Sequence, residues 1–339
     1  MRILGTLLIT VFFAAVAAVA VVGYSLKGKT FRVDDGTYLY IYPGDDAETV
    51  SQRIDTLAHP SAPLSFSTIS RLLSRQDRIY SGRYLITPSS DMLSLIRAIS
   101  NHAQQPLNLV VPSVRTVHDL AGRITSRLLV DSLTIDNMLC DSAYCASLGY
   151  TTQTIPSLFI PNTYEVYWDT PAEQLLQRLQ REHSAFWNAE RLAKAEALGL
   201  TPVQVSTLAS IIDSETSYNP EKPRVAGLYL NRLSRGMLLQ SDPTVIFAHG
   251  DFTIRRVLHD HLLIESPYNT YMYAGLPPGP IRIPSIAAID AVLNHEHHNY
   301  LYMCAKEDFS GTHNFARTYQ EHLKNAALYT KALNERGIK

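Results

Sequence analysis

The stretch that decides the fold is Leu208–Gly250, which reads LASIIDSETSYNPEKPRVAGLYLNRLSRGMLLQSDPTVIFAHG. Within it, Leu208, Ile211 and Ile212 recur at helical spacing. They share one helix face with Glu215, because residues three and four apart in sequence are neighbours on a helix. Apolar surroundings disfavour the charged form of a carboxyl group and raise its pKa, so Glu215 can hold a proton near neutrality. The pattern therefore makes Glu215 a candidate general acid.

A second acidic residue, Asp213, lies two positions before Glu215 and points to nearly the opposite side of the helix. The two carboxylates therefore do not form the facing pair that most glycosidases use. The residues alone leave two interpretations of Glu215 open. It is either a catalytic carboxyl group or a helix-end carboxylate that pairs with Lys or Arg, since an isolated charge on an apolar stripe costs free energy.

Length and charge bound the class of protein. A chain of 339 residues is long enough for two domains, and a formal net charge of −1 gives no electrostatic footprint for nucleic acid. Ile3–Leu26 contains no charged residue, and a run of that length can cross a bilayer as a helix. The competing interpretation is a cleaved signal peptide, but the apolar run exceeds the usual signal core. We expect an uncleaved transmembrane anchor over residues 1–26.

Cysteines and histidines give weaker signals. Cys140 and Cys145 are close enough in sequence to form a disulfide, or they and Cys304 are small buried apolar residues. Histidines cluster at residues 295–298, but the chain has no C-x-x-C pair and no H-E-x-x-H pattern. We expect no metal and no cofactor.

The segment after the apolar run predicts a small α+β module over residues 33–105. Alternating Tyr and aliphatic residues indicate strands, and Asp or Ser before an apolar period indicates a helix start. The predicted elements are strands at Thr37–Pro43 and Arg78–Ile86, the latter bent at Gly82, and helices at Asp46–Leu57, Ser65–Leu73 and Asp91–Ile99.

Residues 106–339 predict a larger α+β domain. Pro-rich segments at Ser266–Tyr271 and Gly275–Ile281 can be neither helix interiors nor central strands, so we expect fixed loops there. The other predicted elements are strands at Leu107–Val111 and Tyr300–Ala305, a turn at Phe159–Tyr164, and helices at Val117–Leu129, Ala172–Leu198 and Pro223–Arg235, from Thr201-Pro202 and from Arg317.

Two polar clusters are candidates for substrate binding. Gln240 offers an amide to a sugar, whereas Asp242 is a candidate helix N-cap with Pro at the first helical position after it. Tyr268-Asn269-Thr270 is either a plain turn or the lining of a groove, since Asn and Tyr together can hold an N-acetyl group and its sugar ring.

The chain resembles the YceG-like endolytic murein transglycosylases, the MltG family. Ala209–Glu215 matches the family's core pattern A-S-I-[I/V]-E-K-E, with Asp213 and Ser214 in place of its first Glu and its Lys. Glu215 falls on the family's catalytic glutamate. The resemblance covers the chain and is dense over residues 208–322. Further matches are Glu221, Val225-Ala226, Asn231-Arg232-Leu233, Gly236-Met237, Leu239-Gln240, Asp242–Val245, Tyr268–Tyr271, Gly275–Gly279, His313-x-Phe315 and His322.

The resemblance implies an α+β fold with an N-terminal transmembrane helix, a LysM-like module at 33–105 and a catalytic domain at 106–339. It implies a lytic transglycosylase of nascent peptidoglycan strands, held in the bacterial inner membrane with its catalytic domain in the periplasm, and cell-wall synthesis enzymes as candidate partners. The implied site has Glu215 as the catalytic residue and, for the substrate, Gln240, Asp242, Thr244, Tyr268, Asn269, Thr270 and His313.

In the implied mechanism one carboxyl group acts twice. Protonated Glu215 protonates the oxygen between N-acetylmuramic acid and N-acetylglucosamine, and its carboxylate then takes the proton of the C6 hydroxyl that closes a 1,6-anhydro ring. Two rival interpretations remain open. A hydrolytic muramidase would use water and a second carboxylate such as Asp242 or Glu265, and a non-catalytic glycan-binding scaffold would not need Glu215 at all.

Overall fold

The computed structural model describes residues 2–336 and confirms the mixed α+β fold that the sequence predicts. The chain divides into two compact units. The first contains Met1–Leu109, Arg127–Val130 and Glu165–Pro171, and the second contains Val110–Ser126, Asp131–Tyr164 and Ala172–Lys339. Each unit has a hydrophobic core of its own.

A long apolar helix, α1 (Arg2–Lys27), contains the charge-free run. Over Ile3–Lys27 its mean hydropathy is 2.5, and the side chains of its most apolar part are all exposed. Among residues 2–336, α1 is the one helix that by itself is long and apolar enough to cross a membrane. This length and composition are compatible with a single-pass membrane anchor.

The first unit is built on a two-stranded antiparallel sheet of β1 (Thr37–Ile41) and β2 (Gly82–Ile86). Alternate residues of β1 point to opposite faces, so Leu39 and Ile41 are fully buried while Tyr38 and Tyr40 lie on the outer face. The helices of this unit are α2 (Ala47–Ala58), α3 (Phe66–Leu72) and α4 (Met92–Ser100), and each begins at an Asp or Ser whose side chain accepts from the backbone of the first turn.

The predicted strand at Arg78–Ile86 is wrong in its first half, because β2 begins only at Gly82. Gly82 has φ of +141°, a conformation that favours glycine, and a Cβ there would come within 2.8 Å of the Gln104 side chain. The bend that the glycine signals is therefore the start of the strand and not a kink within it.

The remaining elements are mostly helical. They are β3 (Leu107–Val110), α5 (Val117–Thr125), α6 (Ser132–Cys140), α7 (Ser142–Ser147), β4 (Thr163–Val166), α8 (Ala172–Phe186), α9 (Ala189–Ala197), α10 (Pro202–Glu215), α11 (Lys222–Ser234), α12 (Asp242–His249), α13 (Ile286–Leu293), β5 (Tyr302–Ala305), β6 (His313–Ala316) and α14 (Tyr319–Glu335).

The core of the second unit centres on α10, which packs on α11 and α13. A capping box fixes the start of α10: the Thr201 side chain accepts from Gln204 N, and the Gln204 side chain accepts from Thr201 N. Gly227 lets α11 approach the chain near residue 296, because a Cβ there would lie only 2.3 Å from the Glu296 carbonyl oxygen. These packed helices form the rigid base from which Glu215 projects.

Several predicted elements of this unit need correction. Ala172–Leu198 is not one helix, because the chain breaks after α8 and Asn188 caps a new helix, α9, by accepting from Arg191 N at 3.0 Å. The segment at Phe159–Tyr164 does not end in a turn but leads into β4. Helices α6, α7 and α13 were not predicted, whereas α12 begins one residue before the helix start that the sequence suggested after Asp242.

The three cysteines form no disulfide in the structure, so of the two interpretations left open for Cys140 and Cys145 the disulfide is not found. Cys140 is exposed, whereas Cys145 is buried and its thiol donates to the Leu139 carbonyl oxygen at 3.2 Å. Cys145 therefore packs as a small apolar residue, and Cys304 is partly exposed.

Candidate active site

Glu215 is the last residue of α10, at the point where the helix leaves the core. Leu208, Ile211 and Ile212, which the sequence placed on the same stripe, are all fully buried. The helix is therefore anchored by its apolar face, and its final residue carries a carboxyl group from the core to the edge of a cleft.

Two hydroxyl groups hold the Glu215 carboxylate. The Tyr229 hydroxyl donates to Glu215 Oε1 at 2.7 Å, and the Ser241 hydroxyl donates to the same oxygen. Over residues 2–336 Glu215 makes no salt bridge, so its interpretation as the partner of a Lys or Arg is wrong. Since both donors use Oε1, Oε2 is left for a group bound in the cleft.

Burial raises the pKa of the Glu215 carboxyl group above its ordinary value. The hydrogen bonds from Ser241 and Tyr229 act against this, because they stabilise the charged form. The nearby Asp242 carboxylate raises the pKa further, and His313 lowers it. Burial is the largest of these effects, so Glu215 has the environment of a group that carries a proton to higher pH than an exposed glutamate.

The cleft beside Glu215 has a volume of about 660 Å³ and a predominantly polar lining. Its walls come from α10, α11, the loop before α12, and the β5–β6 hairpin. The lining residues are Glu215, Leu228, Tyr229, Arg232, Leu239, Gln240, Asp242, Tyr271, Met303, Cys304, Ala305 and His313.

Asp242 lies in this cleft but is not the helix cap that the sequence suggested. The N-cap of α12 is Ser241, so Asp242 is already inside the first turn. Its carboxylate accepts from the Tyr271 hydroxyl at 2.6 Å instead. Asp242 therefore presents a second carboxylate to the cleft, with Tyr271 fixing its direction.

A buried arginine organises the loop that carries Gln240. Arg232 is only 7% exposed, and its guanidinium donates to the Leu238 and Leu239 carbonyl oxygens at 3.1 and 2.8 Å and to Gln240 Oε1 at 3.2 Å. Gln240 also has φ of +53°, which turns the chain sharply at this point. The Gln240 amide NH₂ is thereby directed by a fixed partner on its oxygen.

His313 is held by a buried glutamate. Glu221 is 8% exposed, and its carboxylate accepts from His313 N at 2.7 Å and from His313 Nδ1 at 2.9 Å. Because a carboxylate can only accept, Nδ1 carries the proton and Nε2 is left for a partner in the cleft. Glu221 thus fixes both the ring position and the tautomer of His313.

Four other predicted site residues do not line the cleft. Thr244, Asn269 and Thr270 are at most 1% exposed, so a bound substrate cannot contact them. Their polar groups tie loops together: Thr270 Oγ1 accepts from Ser241 N at 3.0 Å and bonds Thr244 Oγ1 at 2.8 Å. Tyr268 packs on Phe247 with ring centroids 4.8 Å apart.

Asp213 has a structural environment unlike that of Glu215. It forms a salt bridge of 2.5 Å with Lys222, and both side chains are at most 6% exposed. It also accepts from Ser285 N at 2.7 Å and from Ser285 Oγ at 2.9 Å, which ties the start of α13 to the end of α10. The Ser214 hydroxyl donates to the Ser210 carbonyl oxygen within α10.

The sequence did not single out Tyr229, Ser241, Tyr271, Arg232 or Glu221 as parts of the site. Tyr229 and Arg232 are three residues apart and so share a face of α11, a signal that the helical pattern contained. The packing of that face against the end of α10 is a tertiary fact that no local pattern shows.

No group of three or more His, Cys, Asp or Glu side chains that could hold a metal ion occurs within residues 2–336. The His295 and His297 rings pack edge-on with centroids 4.5 Å apart, and His298 forms a hydrogen bond with the Asn231 side chain. His298 Nε2 donates to the Arg224 carbonyl oxygen at 2.8 Å. The cleft itself offers carboxylates, hydroxyls, an amide and an imidazole, which suits proton transfer and hydrogen bonding to a polar substrate.

Comparison with known proteins shows the family to which the chain belongs. The model of the YceG-like family matches residues 39–328, and the chain belongs to that family. It is 32% identical over 168 residues to the endolytic murein transglycosylase of Bacillus subtilis strain 168, a match that covers 50% of this chain and 46% of that protein. It is 29% identical over 180 residues to the enzyme of the same name from Streptococcus pneumoniae D39, covering 51% and 32% respectively.

The chain thus spans less than half the length of these curated relatives. Among solved structures, it is similar to the crystal structure of a yceG-like protein from Listeria monocytogenes, with a TM-score of 0.58 and 24% sequence identity. That likeness covers 86% of this chain and 98% of the Listeria chain, and it shows that the two share a fold.

Proposed function

We propose that this protein is an endolytic peptidoglycan lytic transglycosylase that cleaves the β-1,4 bond between N-acetylmuramic acid and N-acetylglucosamine. The observation that carries the proposal is the Glu215 carboxyl group at the edge of a polar cleft, where burial raises its pKa. The names of the relatives from Bacillus and Streptococcus support the same activity. Cleavage of nascent strands would end their elongation.

The proposed reaction uses Glu215 first as an acid and then as a base. Protonated Glu215 donates to the glycosidic oxygen as the bond to the anomeric carbon breaks. The resulting carboxylate accepts the proton of the muramyl C6 hydroxyl, whose oxygen bonds the anomeric carbon and closes the 1,6-anhydro ring. Tyr229 and Ser241 stabilise the carboxylate between the two steps, since both donate to Oε1.

We propose that Gln240, Asp242 and His313 bind the substrate. The Gln240 amide NH₂, the Asp242 carboxylate and His313 Nε2 all belong to groups that line the cleft with Glu215. Amide and hydroxyl groups of a sugar offer both donors and acceptors, so this set can hold one ring without a metal. We propose that Thr244, Tyr268, Asn269 and Thr270 hold the surrounding loops in place and do not contact the substrate.

The proposal is tested by replacing the proton carrier with its neutral isostere. Glu215→Gln keeps size and hydrogen bonding but can neither deliver nor accept the proton, so release of anhydro-muropeptides should fall by at least about 10⁴-fold. Glu265→Gln is the matched control, because Glu265 is exposed and lies outside the cleft. Near-normal release by a folded Glu215→Gln protein would show that another group does the chemistry.

One observation favours a second candidate, a hydrolytic muramidase. Asp242 places another carboxylate in the same cleft, and such an enzyme would use it to activate water or to bind the anomeric carbon. Glu265, the other carboxylate considered, does not line the cleft. Hydrolysis and transglycosylation leave chemically different ends, so the products decide between them.

For the N-terminal part, we propose a LysM-like module over residues 33–105 that positions glycan strands, with the catalytic domain over residues 106–339. An outer surface on the first unit supports this. Tyr38, Tyr40 and Tyr42 follow one another on one face of β1 and its extension, next to a groove lined by Arg53 and Gln52. Tyr40 and Tyr42 both pack edge-on against Trp168. Aromatic faces beside polar groups suit sugar rings.

We further propose that α1 anchors the protein in the bacterial inner membrane, with the rest of the chain in the periplasm. The support is its length and apolar composition. An anchored enzyme would stay close to newly made glycan strands and to the enzymes that make them. The intact mass of the protein in the membrane fraction is the test: loss of the first 20 or so residues would mean a cleaved signal peptide.

A further inference from the structure

A second pocket lies against the same two backbone segments as the catalytic cleft. It has a volume of about 430 Å³. Ser214 and Pro243 line this pocket, and their sequence neighbours Glu215 and Asp242 line the cleft. Since consecutive Cα atoms are only about 3.8 Å apart, the two cavities flank one another across these segments.

Two arginines give this pocket its charge. Arg115 and Arg282 both line it, and neither forms a salt bridge anywhere in residues 2–336. The Arg282 guanidinium donates to neutral acceptors, namely Ser113 Oγ at 3.1 Å, the Ser113 carbonyl oxygen at 3.3 Å and the Asp213 carbonyl oxygen at 3.4 Å. The Asp213 carboxylate does not neutralise it, because Lys222 and Ser285 use that group.

The two guanidiniums are held in different ways. Arg282 is partly buried and fixed by its three neutral acceptors, so its position is set before any ligand binds. Arg115 is exposed, and its guanidinium lies 4.9 Å above the centre of the Phe252 ring. That contact orients Arg115 without cancelling its charge. Most of the other lining residues are apolar, and they include Ile246 and Phe247.

We propose that this pocket binds a carboxylate of the peptide stem of the glycan strand, an inference that rests on the proposed function. Arginine is suited to carboxylates because its planar fork can donate two parallel hydrogen bonds. The apolar walls would contact the methyl groups of alanine residues beside such a carboxylate. The pocket selects strands that still carry their peptides.

The chemistry of the substrate places such a group within reach. The peptide leaves the muramic acid ring through the lactyl ether at C3, close to the anomeric carbon whose bond is broken beside Glu215. A lactyl group and two residues extend roughly 10 Å, which reaches the first free carboxylate of the stem. On this proposal, a strand bound in the cleft extends its peptide past Ser214 into the pocket.

A free carboxylate can also come from the lactyl group itself, after an amidase has removed the peptide. The test therefore compares uncrosslinked strands that carry peptides with the same strands after amidase treatment. The full-length protein is assayed in detergent as wild type, Arg115→Gln and Arg115→Glu. Arg123→Gln is the matched control, because Arg123 is exposed in the same chain segment but does not line the pocket.

On peptide-bearing strands we expect Arg115→Gln to raise KM at least about threefold and Arg115→Glu to raise it more, with kcat within about twofold of wild type. The KM for amidase-treated strands and the behaviour of Arg123→Gln should not change. Higher salt should shrink the difference, since an exposed charge is screened. Equal shifts on both kinds of strand would assign the effect to the lactyl carboxylate and overturn the proposal, as would no shift at all.

Binding measured in a Glu215→Gln background separates this proposal from the catalytic one. If wild type releases no anhydro ends but the Glu215→Gln protein binds peptide-bearing strands in an Arg115-dependent way, the pocket stands and the proposed function fails. If wild type cleaves but the Arg115 variants change KM equally for the two kinds of strand, or change it for neither, only the pocket proposal fails.

Discussion

At the scale of single residues, the environment of Glu215 combines one feature that the sequence shows and one that it hides. Helical spacing places Glu215 on the stripe of Leu208 and Ile211, and the structure buries that stripe. The hydroxyl groups that hold the carboxylate come from Tyr229, 14 residues later, and Ser241, 26 residues later. Only the packing of separate elements brings them together, so no local pattern could predict them.

The pH dependence of activity tests this environment. A general acid works only while protonated, so activity should fall as the pH rises through the pKa of Glu215, and burial moves that fall to higher pH. Tyr229→Phe removes a donor that stabilises the carboxylate. The pKa of Glu215 should therefore rise further. The fall in activity on the alkaline side of the pH profile should move to higher pH by roughly one unit.

Tyr268→Phe is the control for this shift, because Tyr268 does not line the cleft and does not donate to Glu215. Its alkaline limb should match that of wild type. An unchanged or lowered limb in Tyr229→Phe would mean that the tyrosine does not act on the carboxylate.

At the scale of elements, the sequence predicts helices well where apolar spacing and caps agree and fails where a break is set by one polar side chain. The start of α10 was expected at Thr201-Pro202, and its capping box is there. The break after α8 depends on the Asn188 cap within an otherwise helical composition. The helix α12 begins at Asp242, one residue before the start that Pro243 suggested, and its N-cap is Ser241.

Asp213 lies in the same motif as Glu215, but its contacts with other elements give it a structural role. Its salt bridge with Lys222 is buried and also supports the start of α13. Asp213→Asn would leave the Lys222 charge buried without a partner, so the free energy of unfolding should fall by about 3 kcal/mol. Chemical denaturation followed by circular dichroism measures this loss.

Glu190→Gln is the comparison, because it breaks the exposed pair of Glu190 with Lys194 on α9. Its unfolding midpoint should barely move, since exposed pairs contribute little. Equal midpoints for Asp213→Asn and wild type would show that the buried pair is dispensable, and a specific loss of catalysis at full stability would give Asp213 a chemical role instead.

At the scale of the whole molecule, composition and length predict the α+β class and the apolar N-terminal helix, and both are present. The family follows from motifs dense over residues 208–322, and the family model extends over residues 39–328. Local patterns could not predict the cleft, because its lining comes from α10, α11, the loop before α12 and the β5–β6 hairpin. Asp242 and Thr244 are two residues apart, yet Asp242 lines the cleft and Thr244 is buried.

The tyrosine face of the first unit should affect binding to the polymer and not the bond that is cut. Tyr42→Ala removes a half-exposed ring from this face, so cleavage of long glycan strands should weaken several-fold while the products stay the same. Tyr80→Ala is the control, because Tyr80 is equally exposed but lies outside the groove. Altered product ends in Tyr42→Ala, or equal loss in both variants, would contradict the proposed division of labour.

The central claim is that Glu215 directs an internal hydroxyl group, and not water, to the anomeric carbon. Digestion of peptidoglycan by the full-length protein in ¹⁸O-labelled water, followed by mass analysis of the released muropeptides, tests it most directly. The account predicts 1,6-anhydro ends that contain no ¹⁸O, and their absence from a Glu215→Gln digest. Reducing muramic acid ends that each carry one ¹⁸O atom would contradict it and identify a hydrolase.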